Sequence, residues 1–318
     1  SCHAEGRNTI ASGLYSHSEG NNTRALGRNA HSEGAATIAS GDHSHAEGNN
    51  TTASGIYSHT QGIGCTASNS FCHAGGSNSI ASGIGAVAQG EDCNASGNYS
   101  FAASRGCTAT SLYSLAFGSG CTAAGVASMS VGVSNNASGQ YSQALGTSCK
   151  SLGDYSFTQG DSCTGTSLAN IAMGINVNCS ATLSRAVGFN LVNDVVGSLL
   201  YGQYGRSVAV GPTATAATHS IQLAGGTVAP TNPGDGISVL IQTITPGTPQ
   251  PTGQIVTNNF ISDNADYAEY FEWLDKNPEN EDRYARFVAL DKDKLITAAT
   301  DDDVIGITSV TSVLMGDS

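Results

Sequence analysis

Charge is scarce in this 318-residue chain: 12% of residues are charged, 6% are aromatic, and there is a single tryptophan. Long side chains that fill a large globular core, or lace the faces of surface helices, are too few to support either architecture. Lys and Arg number 12 against 25 Asp and Glu, a formal charge of −13. That balance argues against a nucleic-acid partner, because phosphate contacts need basic side chains. No signal-peptide pattern or apolar run of spanning length is present, so no membrane span is expected, and Ser1 need not be the natural start. Phosphate loops, GxSxG elbows and metal-ligand triads are missing, as are the facing carboxylates that a polysaccharide depolymerase needs. No activity on an external substrate is expected.

What is there instead is glycine, 40 of them, and a seven-residue phrase repeated through residues 1–188. From Leu14 it reads LYSHSEG, NNTRALG, RNAHSEG, AATIASG, DHSHAEG. A short fixed period marks a solenoid, whereas a coiled coil would need apolar a and d positions and few glycines. Alternate phrases differ, so the unit is a coil of fourteen residues with two strands and two turns, glycine supplying the bend. Call the first strand type A (Ser16, His17, Ser18, Glu19) and the second type B (Thr51, Thr52, Ala53, Ser54). The small third and fifth positions share one face and point inward. The fourth and sixth point outward. In type B these are mostly polar, as at Asn94 and Ser96. In type A the later coils carry Val87, Phe101, Leu115, Met129, Phe157 and Ile171 at the fourth position, and Phe117, Val131, Leu145, Met173 and Val187 at the sixth. So long an apolar stripe reads as a subunit interface around a symmetry axis.

The phrases SHAEG and TIASG on a fourteen-residue coil resemble the left-handed parallel β-roll heads of trimeric autotransporter adhesins, and similar repeats occur in phage and viral fibres. The resemblance implies an all-β homotrimer. Together these readings divide the chain into a β-roll head or shaft (1–188), a cap or neck (189–225) and a small C-terminal β-domain (226–318), with HSIQLAGG and ISVLIQTI as strands beside proline-rich loops.

Nine cysteines would ordinarily suggest disulfides or zinc. Cys65, Cys93, Cys107, Cys121, Cys149 and Cys163 instead occupy the third place of type B, Cys2 and Cys72 that of type A, and Cys179 a fifth place. All are inward positions, so they read as small buried fillers with reduced thiols. Cys65 with Cys72 is the one pair to test as a disulfide.

Type A carries a second row in the first coils: His3, His17, His31, His45, His59 and His73, with Glu5, Glu19, Glu33 and Glu47 two places later and Gln61 after them. Three readings stand: a hydrogen-bonded His–Glu ladder that fixes register, an axial column holding an ion or anion, or simple surface exposure. In the ladder, protonated His beside carboxylate would have a raised pKa. His43 falls at a turn and is expected to be solvated. No other cofactor is expected.

A second resemblance lies in ADYAEYFEW, residues 265–273, followed by FVAL, IGI and a closing GDS. That order is similar to the glutamic-type intramolecular-chaperone autoproteolytic domains of phage neck appendages. The resemblance implies a C-terminal chaperone that drives trimerisation and is then cut off. Ser318 is then either the end left by self-cleavage or an artificial domain edge. In the first case Asp317 and Ser318 sit at the cut, where a hydroxyl beside the scissile carbonyl can form an ester that water resolves. Asp266, Glu269 and Glu272 are candidate acid–base groups, or else structural carboxylates at a subunit contact. The expected protein is a trimeric spike on a virion surface that attaches to a host receptor or glycan. The alternative is a bacterial cell-surface adhesin head.

Overall fold

The computed structural model describes residues 1–207, 220–225 and 231–232, and the backbone of seven later strands. It is a parallel β-solenoid of about 15 turns, each of roughly 14 residues. No helix occurs among the described residues, so none is long and apolar enough to cross a membrane. In a typical coil a five-residue strand such as His17–Asn21 is followed by a two-residue strand such as Arg24–Ala25. Through the regular coils each strand pairs with its equivalent fourteen residues on: His17 opposite His31, Arg24 opposite Ile38. Each rung is held by backbone bonds, for example from the His17 N–H to the Ala30 carbonyl at 2.9 Å.

The core between the two strand stacks is one side chain thick. Ala25, Ala39, Ala53, Ala67, Ala81 and Ala95 lie fully buried on the short strands, facing Ser18, Ser32, Ala46 and Thr60 on the long ones. Hydroxyls pair across the gap, as in Ser32 with Thr37 at 2.7 Å. Eight of the nine cysteines are buried fillers and all nine thiols are free. The Cys65–Cys72 disulfide is therefore not formed: the Cys72 thiol instead donates to the Gly83 carbonyl at 2.8 Å.

The phrase-closing glycine does not make the corners, contrary to expectation. The bend falls at the second residue of each phrase, which takes a left-handed conformation whether it is Asn22, Tyr57, Tyr99 or Ser148. Such a φ is uncommon outside glycine and favours Asn. The phrase-closing glycines answer a different demand, which is close approach between coils. A Cβ on Gly20, where φ is +110°, would lie 2.2 Å from the Gly34 carbonyl oxygen, and one on Gly27 would lie 2.0 Å from that of Gly41. Where a short-strand phrase ends without glycine, the replacement bonds to the next coil. Ser111 and Ser167 donate from Oγ to the Ala124 and Ser180 carbonyls, both at 2.6 Å.

The coil stack runs through the boundary expected at Gly188. Ile171–Cys179, Arg185–Asn193 and Leu199–Arg206 are uninterrupted strands stacked in parallel, and Val177, Leu191 and Leu200 thicken the core there. Ser220–Gly225 adds one more parallel strand and pairs on its other side, antiparallel, with Ile237–Gln242. The first compact unit extends to Val256, beyond the start expected for the C-terminal domain at residue 226. The second, Thr257–Ser318, contains a parallel pair, Asp266–Glu269 with Ser312–Gly316, and a three-stranded antiparallel sheet.

Candidate functional site

Because side chains alternate along a strand, the first and third residues of each long strand face outward at the same place in every coil. The first place holds His3, His17, His31, His45, His59 and His73 in one file. The middle rings stack nearly parallel, with centroids 4.8 Å apart for His17–His31, 4.7 Å for His31–His45 and 5.0 Å for His45–His59. At the two ends the pairs turn edge-on, by 72° and 62°. That spacing is the strand-to-strand distance of a parallel sheet, so the backbone dictates the stack.

The carboxylates interleave with the rings. Each Glu follows a His by two places in sequence, and in the middle of the column it reaches the His of the next coil. Glu33 Oε1 lies 3.1 Å from His45 Nε2, Glu47 lies 3.7 Å from His59, and Glu19 lies 3.9 Å from His31. In the first coil His3 bonds its own coil's Glu5 at 3.2 Å, and Glu19 lies nearly as close to His17, at 4.0 Å, as to His31. At the other end His73 Nε2 meets Gln89 Oε1 at 3.0 Å. Glu5, Glu19 and Glu33, with Gly6, Gly20 and Gly34, line an open groove of about 350 Å³. His31, Glu33 and His45 bring their ligand atoms within 4.8 Å of one another.

The electrostatic expectation is reversed. Burial pushes the His31 and His59 imidazoles below the ordinary value, and the neighbouring His45 charge acts in the same direction. The carboxylates pull the other way and lose, since these side chains are too covered for the cation to keep its hydration.

Beyond the His rows the same face becomes apolar. Val87, Phe101, Leu115 and Met129 follow one another in register, with Gln143 interrupting before Phe157 and Ile171. In the single chain this stripe is half-buried at most places and exposed at Phe101 and Phe117, the latter 49% exposed. The sequence reading missed a further file at a corner, where His43 stacks on Tyr57 at 4.9 Å and Tyr57 on Phe71 at 5.4 Å, with Tyr99–Tyr113 and Tyr141–Tyr155 pairs beyond. The recurrence of Tyr at the second place of a phrase was its available signal.

In the second unit the strand carrying Asp266 and Glu269 runs parallel to Ser312–Gly316, with Asp266 opposite Ser312 and Glu269 opposite Gly316. This sets Glu269 one strand away from the residue two places before Ser318 in sequence. Glu272, Asp317 and Ser318 lie outside the described residues.

The YadA head domain repeat matches residues 4–30, 32–58, 74–92 and 81–103. Residues 212–318 match Peptidase_G2, the IMC autoproteolytic cleavage domain, so the match starts well before the motif at 265–273. No curated protein matches the chain.

Proposed function

From a chain that joins YadA-type head repeats to an IMC autoproteolytic cleavage domain, we propose one strand of a parallel homotrimeric, adhesin-like surface fibre that matures by cutting itself near Ser318. The observation that carries the trimer is the apolar file from Val87 onward, half-buried along most of its length and exposed at Phe101 and Phe117, which a lone chain would leave partly in water. Three copies sharing one axis bury it and bring the His–Glu rows of the first coils to the same axis. A virion fibre attaching to a host receptor or glycan is the finer reading. The YadA head match equally suits a bacterial cell-surface adhesin head.

For maturation, a carboxylate of Asp266 or Glu269 takes a proton from water, the hydroxide adds to the scissile carbonyl, and the proton passes to the leaving amine. The pairing of their strand with Ser312–Gly316 supports this assignment. The ester route has a different product. Attack by the Ser318 hydroxyl on its own carbonyl would close a four-membered ring, so that hydroxyl serves only a cut before Ser318.

Light scattering tests the assembly, which should weigh about three times the 32.1 kDa chain. Phe101→Asp should abolish it and Asn94→Asp should not, while a stable folded monomer would sink the reading. Mass spectrometry of the product of the full gene tests maturation. A chain ending at Ser318 that is lost in Glu269→Gln or Asp266→Asn supports water attack, and an uncut protein that still assembles removes the self-cleavage.

A further inference from the structure

Among the described residues, the His–Glu column brings together two imidazoles and a carboxylate in one place. His31 and His45 occupy the same strand place one coil apart, their rings 4.7 Å apart and tilted by only 5°. Glu33, two residues after His31, points its Oε1 between the coils, 3.1 Å from His45 Nε2. The Nε2 atom of His31 is covered and has no hydrogen-bond partner. A buried ring nitrogen left unpaired beside a carboxylate calls for an account, and an ion is one of the few available. We propose that His31, Glu33 and His45 bind a divalent transition-metal ion of the zinc class, across two neighbouring coils of one chain.

The donor set selects the ion. Two imidazole nitrogens with a single carboxylate suit zinc, cobalt, nickel or copper, whereas calcium and magnesium want a cage of oxygens. Tetrahedral zinc places nitrogen donors roughly 2.0 Å from the metal and so about 3.3 Å from each other, closer than the 4.7 Å between these stacked rings, so the two donor nitrogens must draw together. Ring rotation supplies that movement, because the column already contains edge-on pairs, His3–His17 and His59–His73. The neighbouring steps are looser: Glu19 stands 4.0 Å from His17 and 3.9 Å from His31, and Glu47 stands 3.7 Å from His59. They also share His31 or His45 with the central step, so filling it excludes them. One ion per chain is the expected stoichiometry. The ligands come from a single chain, so the site stands or falls independently of the trimer.

The full chain, stripped with EDTA, is titrated with Zn²⁺ by calorimetry and with Co²⁺ by visible absorption. One Zn²⁺ per chain should bind, and Co²⁺ should give a ligand-field spectrum of nitrogen and oxygen donors. His31→Gln and His45→Gln should each weaken binding by at least about tenfold, Glu33→Gln by less, and His43→Gln, at the corner, should change nothing. Circular dichroism confirms that each variant keeps the wild-type fold. If a variant fails that check, the Co²⁺ spectrum of the wild type decides alone, since a thiolate charge-transfer band would move the ion to cysteine and overturn the proposal. Absence of binding, or binding that survives His31→Gln and His45→Gln together, overturns it as well.

Discussion

Replacing Gly146 with alanine should open one rung of the solenoid. Its φ is +115°, in territory that side chains rarely adopt, and an added Cβ would sit 2.1 Å from the Gly160 carbonyl oxygen. Ordinary contact needs more than an ångström beyond that, and the obstacle is backbone, which cannot rotate away. The strands Gln143–Thr147 and Phe157–Asp161 must part locally. Losing two or three of their bonds at about 1 kcal/mol each, with about 1–2 kcal/mol of backbone strain, gives a cost of about 3–5 kcal/mol. Gly106 is the control: its φ is also positive, at +59°, but an added Cβ there meets nothing within 4 Å. That alanine should cost only about 1 kcal/mol. In a repeat array the loss stays local, so the assay is native-state amide exchange across residues 143–161 rather than a single melting curve. Exchange there should accelerate by roughly a hundredfold or more in Gly146→Ala and by less than about tenfold around Gly106→Ala. Equal effects would refute the claim that close approach of coils, and not the sign of φ, is what the phrase-closing glycines answer to.

Ser104 is the converse case: it holds a glycine place in one long strand with φ at 89°, so Ser104→Gly should stabilise that coil by about 0.5–1 kcal/mol in the same assay. The lowered His31 and His59 imidazoles make the first coils acid-sensitive. Their contribution is intact above the unfolded value of 6.5 and is lost as pH falls from there toward the lower native values, because the unfolded chain takes up protons first. Thermal melts in EDTA from pH 8 to pH 5 should show the midpoint falling, and a midpoint that rose on acidification would contradict the burial argument. Burial also raises the thiols of Cys72, Cys93 and Cys107. The Cys149 thiol is lowered to about 7 by its hydrogen bond from Cys163, but it too is buried, so alkylation of the folded protein at neutral pH should label Cys2, the exposed one, and reach the rest only on unfolding, as peptide mass mapping would record.

Alternation made the interior legible: small residues at the third and fifth places could only face inward, and Ser18, Ala53 and Cys107 are buried as read. The corner was not legible, because Tyr57 or Tyr99 in a left-handed conformation contradicts local propensity and is imposed by the coils stacked on each side. Asn8, Asn22, Asn29 and Asn50 carried the hint. Pairing Glu with His needed the third dimension, since the partner twelve residues on is nearer than the one two residues back. The coils beyond Gly188 escaped notice because Val177, Leu191 and Leu200 replace the small-residue signature, although Gly188 and Gly202 keep positive φ.

Perfect register has a consequence for how such a molecule changes size. The regular coils repeat the same two corners, so inserting or deleting fourteen residues among them leaves each surviving contact as it was. An odd-numbered indel within a strand shifts side chains between inside and outside from that point to the next corner. Length in this protein is therefore a whole number, altered one step of about 5 Å at a time. A lineage can lengthen or shorten its reach by unequal recombination between near-identical phrases without ever passing through an unfoldable intermediate.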